Sequence, residues 1–122
     1  MTTTTQPKPA CNRGDVVLVL FPHSDLKTAK TRPALVVQSD ALESGMPQVI
    51  VAMISSRMFR AGHPSRVVIE KNSTQGRLSG LLGDSVVMAD NLATVALTAI
   101  DRVIGSVVMP EIDGALRHTL GL

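Results

Sequence analysis

Aromatic side chains are almost missing from this 122-residue chain, which has two Phe, no Trp and no Tyr. Its core must therefore be built from Val, Ile, Leu, Met and Ala. Cysteine is equally scarce. With Cys11 alone no internal disulfide can form, and a reducing, cytoplasmic setting is expected. One cysteine and three scattered histidines show no metal-ligand spacing, so neither metal nor cofactor is expected. No apolar run approaches the roughly 20 residues of a membrane span, so no membrane contact is expected. Charge of one sign is also in short supply. The net charge is +2 and the pI about 9.1, well short of the basic bias of a general nucleic-acid binder. Any such role needs the positive charge gathered on one face. Residues 1–12 are rich in Thr and Pro and lack the apolar stretch of a signal peptide. They read as a disordered tail, and residues 13–122 as one domain large enough to bury its own core.

What remains is a series of short, β-branched apolar runs. Strands are expected at 16–21, 34–38, 49–54, 66–70, from 84 to 88 or on to 92, and at 103–108. Residues 23–31 read as a polar loop carrying Lys27 and Lys30, and 57–64 as a second loop with two arginines. Residues 71–83 read as a long loop with at most one helical turn. Their glycines are turn residues, because no Gly-Lys-Ser/Thr follows them to make a phosphate loop. A helix is expected over 111–120. Pro110 suits its first turn, Glu111 and Asp113 favour its positive end, and Ile112, Ala115, Leu116 and Leu120 share a face. The sum is a mainly β chain, a small barrel closed by a C-terminal helix. Its strands are too apolar for clean alternation, so either both sheet faces are covered within the chain or one meets a partner, which favours a homodimer.

Two blocks stand out. Arg13-Gly14-Asp15 opens the first strand, which runs to Phe21-Pro22 and on into His23-Ser24-Asp25-Leu26. Lys30-Thr31-Arg32-Pro33-Ala34-Leu35-Val36 then holds an arginine against a proline, which restricts Arg32 to extended backbone at a strand entrance. Ala52-Met53-Ile54-Ser55-Ser56, Gly83-Asp84-Ser85-Val86-Val87, Asp90-Asn91-Leu92 and the C-terminal segment follow in order. Together these blocks resemble the MazF/PemK (Kid-like) toxins of type II toxin–antitoxin systems. The resemblance spans residues 13–122. It implies an SH3-like barrel of the MazF/Kid/CcdB type with a C-terminal helix, usually dimeric. It also implies a metal-independent endoribonuclease, an mRNA interferase that cuts single-stranded mRNA to 2′,3′-cyclic phosphate and 5′-hydroxyl ends. The expected partners are RNA, a second copy of the chain and a cognate antitoxin, which would lay an acidic segment across the same basic groove.

Such cleavage needs a base for the 2′-hydroxyl, an acid for the leaving oxygen, and donors or cations for the charge on phosphorus. A planar guanidinium can grip two phosphate oxygens, and the resemblance places Arg32 on the family's catalytic arginine. The plain alternative is a surface arginine ending a loop. Ser55 falls where the family carries a catalytic Thr or Ser. Its hydroxyl would donate to a phosphate oxygen, or merely cap the strand end. Asp90 matches an acidic position of the family and would act as a base or hold Arg32 in place. RNA contacts are expected from His23, Asp25, Lys27, Lys30, Ser56, Arg57, Arg60 and Asn91, and the two remaining histidines are read as structural or exposed. With no aromatic platform expected, base selection falls to loop backbone and polar groups. Met88, Asn91 and Ala93 stand where some family members have cations. They keep open an alternative, a catalytically degenerate barrel that binds protein, such as a CcdB-like gyrase inhibitor.

Overall fold

A computed structural model describes residues 11–22, 25, 27 and 29–122. The expected tail therefore lies outside the described residues except for Cys11 and Asn12, and so do His23, Ser24, Leu26 and Thr28 of the first loop. The chain runs through β1 (Asp15–Pro22), β2 (Ala29–Val36), β3 (Gln48–Ser55), β4 (Arg66–Ile69), α1 (Thr74–Ser79), β5 (Ser85–Ala96), β6 (Ile100–Ser106) and α2 (Pro110–Leu120). Two 3₁₀ turns, Met58–Arg60 and Leu97–Ala99, interrupt the loops. All pairings are antiparallel, in the order β4-β5-β3-β2-β1-β6. The expected barrel is thus a six-stranded antiparallel sheet with a C-terminal helix. Among the described residues no pairing joins β4 to β6, so backbone hydrogen bonds do not close it.

The apolar strands are explained by two cores, one on each face. Val16, Leu35, Ala52, Ile54, Ile69 and Val87 meet Val107 and Ile112 on the helix-covered face. Val17, Val19, Ala34, Val36, Val49, Val51 and Val95 meet Ile100 on the other, with Leu97 and Ala99 of the second 3₁₀ turn packed at its edge. Successive strand residues point to opposite faces, so a strand buried on both sides reads as an unbroken apolar run. The chain covers both faces by itself, and strand composition alone therefore does not call for a second copy.

Three strands and α1 differ from the sequence expectation, α1 being a six-residue helix where at most one turn is expected. The second strand begins at Ala29, not residue 34, because β1 pairs with it from Pro22↔Ala29 to Val16↔Leu35. This pairing draws polar Lys30, Thr31 and Arg32 out of the expected loop, and Arg32 lies inside the strand rather than at its entrance. The fifth strand runs on to Ala96. The sixth sits earlier than expected, since β1 pairs as far as Ile100. The helix is where Pro110 and Gly121 bracket it. Gly121 takes the left-handed conformation, and its N–H donates to the Arg117 carbonyl at 2.8 Å. Ile112 and Ala115 are buried on its inner face, while Leu120 stays more than half exposed. Arg13 pins this helix to the sheet through Asp113 at 2.7 Å and the Val37 carbonyl at 3.0 Å.

Candidate active site

Register places the site. The β2–β3 ladder ends at Ala34↔Met53. Arg32 and Ser55 each lie two residues beyond that pair, on the same end and the same face of the sheet. Met53 pairs with Met88 of β5, and Met88 with Arg66 of β4, so those side chains continue the face outward. Beside them β5 is bulged. Met53 opposes Met88 while Ala52 opposes Leu92, which leaves Ala89, Asp90 and Asn91 without partners on β3. A bulge of this kind re-aims a side chain, and here the one re-aimed is Asp90.

Asp90 is met by Arg66. The guanidinium donates from Nε to Oδ1 at 3.3 Å and from Nη2 to Oδ2 at 2.9 Å. These hydrogen bonds hold the Asp90 carboxyl below its ordinary range, with the charges of Arg66 and His63 adding in the same direction. They push the Arg66 guanidinium up in turn. The third arm of Arg66, Nη1, donates to the Arg60 carbonyl at 3.1 Å. Arg60 then turns its own Nη1 to the Met88 sulfur at 3.5 Å. One arginine thus ties the re-aimed acid to the 3₁₀ turn.

Arg32 is exposed, and its side chain makes no hydrogen bond or ion pair among the described residues. The expected hold of Asp90 on Arg32 is therefore not the contact formed, because Arg66 takes the carboxylate. Ser55 is half-buried, and its Oγ accepts from the Arg57 N–H at 3.1 Å, which leaves its own proton free to donate. Ser56, Arg57 and Asn91 are exposed around this end. Lys30 shares the Arg32 face of β2, being two residues away. Asp25 and Lys27 are exposed in the first loop, where the Lys27 N–H donates to Asp25 Oδ1 at 2.9 Å. His23 lies outside the described residues. His63 accepts from the Ser65 N–H through Nδ1 at 3.0 Å and meets His118 edge to face, with 5.9 Å between ring centroids. No cluster of three or more His, Cys, Asp or Glu among the described residues is arranged to hold a metal ion.

A sequence model described as PemK-like, MazF-like toxin of type II toxin-antitoxin system matches residues 12–120. The chain belongs to this family. Solved structures with the same fold include an endoribonuclease in complex with its cognate antitoxin from mycobacterial species. That likeness has a TM-score of 0.71 and 24% identity, over 93% of this chain and 97% of the other. An endoribonuclease from mycobacterial species matches with TM-score 0.69 and 25% identity, over 96% and 97%. A MazE-MazF structure from Deinococcus radiodurans matches with TM-score 0.69 and 20% identity, over 92% and 96%.

Arg66 is the residue that sequence reasoning missed in this PemK-like site. It sits 24 positions from Asp90, and only the register Arg66↔Met88 brings it there. No local motif announces it.

Proposed function

We propose that this PemK-like toxin is a metal-independent endoribonuclease cutting single-stranded mRNA, opposed by a cognate antitoxin and working as a homodimer. The observation that carries the reading is Arg32, a guanidinium without a hydrogen-bond or ion-pair partner among the described residues, on the same face and end of the sheet as the donor-ready Ser55. In the reaction the 2′-oxygen attacks phosphorus and the bond to the 5′-oxygen breaks. The 2′-hydroxyl gives up a proton and the leaving oxygen gains one. Arg32 stabilises the charge that builds on the non-bridging oxygens, and Ser55 donates to one of them. Asp90 acts by position, because a carboxylate held ionised by Arg66 is poorly matched to carrying a proton near neutrality. Arg60 supports the enzymatic reading over a degenerate barrel, since its guanidinium lies against the sulfur of Met88 and supplies the cation that residue 88 lacks. The endoribonuclease and antitoxin named for the mycobacterial structure support the same assignment of activity and partner.

Purified protein in EDTA, given a long single-stranded RNA, is expected to make site-specific cuts with 5′-hydroxyl ends. Arg32→Ala should lower the rate by about 10²-fold or more while leaving the circular dichroism unchanged. A folded wild type that cuts no RNA, or an Arg32→Ala variant as active as wild type, would sink the assignment.

A further inference from the structure

Phe59 is one of only two aromatic residues in the chain other than histidine. Its side chain joins neither of the two cores. It lies in the 3₁₀ turn Met58–Arg60, which has no buried residue, and it is 79% exposed. The turn itself is well fixed. The Arg60 and Ala61 N–H groups close it on Arg57 and Met58, each at 3.0 Å. Arg66 anchors the Arg60 carbonyl, and the Arg60 side chain lies against Met88. The Arg60 guanidinium carbon stands 5.8 Å from the centre of the Phe59 ring. A hydrogen-bonded turn that starts three residues after Ser55 therefore presents an exposed aromatic ring with the Arg60 guanidinium over it.

We propose that Phe59 is a base-stacking platform, a subsite for one nucleobase of the single-stranded RNA, with Arg60 taking an adjacent phosphate. The inference rests on the ribonuclease reading above and adds a base-binding site to it. A ring beside a guanidinium matches the two halves of a nucleotide, an apolar π face and an anion. An apolar peptide anchor is a weaker match. The Phe59 ring joins neither apolar cluster of the fold, and it stands beside a guanidinium rather than among apolar neighbours. The sequence expectation of no stacking platform rests on composition, which does not show that Phe59 is exposed.

The test uses the full chain and a mixed-sequence 2′-O-methyl RNA oligonucleotide, which has no free 2′-hydroxyl and is not cut. Phe59→Trp gives the chain its only Trp. Its emission should be quenched as the RNA binds, with affinity by anisotropy of labelled RNA near that of wild type. Phe59→Leu keeps the apolar bulk but loses the π face, and should bind about tenfold more weakly. Its salt dependence should match wild type, whereas Arg60→Gln should make it shallower. Trp emission unchanged at RNA concentrations that saturate the protein, or Phe59→Leu binding as well as wild type, overturns the stacking proposal alone and leaves the ring to a protein partner. Wild type that fails to bind the RNA overturns the ribonuclease reading, and this inference with it.

Discussion

Asp90 and Arg66 form one unit, and their substitution should show it. A general base removed from such a reaction costs about 10²–10⁴ in rate. A carboxylate that acts only by fixing a guanidinium should cost less. Asp90→Asn and Arg66→Lys are each expected to lower kcat by roughly tenfold, and the double variant little further, because each change already breaks the shared contact. Additive losses in a single-turnover cleavage assay would show separate roles. The pH dependence follows from the same pair. The folded-state pKa of Asp90 is depressed, so the stability this contact gives is present above the ordinary carboxylate range and is lost as pH falls through the lowered value. Rates between about pH 5 and 8 should therefore show no acid limb that disappears in Asp90→Asn.

Among the elements, the contact between α1 and β6 tolerates little change. A Cβ at Gly105 of β6 would fall on the backbone of Leu78 and Ser79, and backbone cannot rotate away. Gly105→Ala is expected to cost about 1–3 kcal/mol and lower the urea midpoint, without any direct effect on the Arg32 end of the sheet. Strand and helix existence was legible in the sequence because β-branched runs and the Pro110–Gly121 bracket are local signals. Strand ends were less legible. Lys30, Thr31 and Arg32 are poor advertisements for a strand, yet pairing with Leu20, Val19 and Phe21 puts them in one. The motifs point to Arg32, Ser55 and Asp90 as the proposed site, and the register puts Arg32 and Ser55 on one end and one face of the sheet. The contact of Asp90 with Arg66 and the exposure of Phe59 arise from register and from the fixing of a turn, and neither leaves a mark within a short window.

On the scale of the whole molecule, a net charge of +2 leaves little for long-range attraction to RNA. On the proposed reading, affinity comes from a few contacts at one end of the sheet. If Arg32, Arg57 and Arg60 each meet a phosphate, log K against log salt should fall with a slope of about −2, as counterion release from a single strand predicts. A slope near zero in a salt titration would show that these arginines do not touch the backbone. The proposed homodimer has its own check, a sedimentation-equilibrium mass twice the 12.9 kDa of the chain. The bulge in β5 has a further consequence, for variation. Because Asn91 opposes nothing on β3 and its side chain is exposed, the β3–β5 ladder on either side keeps its register whatever occupies position 91. Randomising that position should therefore yield folded proteins at high frequency, so that a library can explore altered substrate preference without first repairing its scaffold.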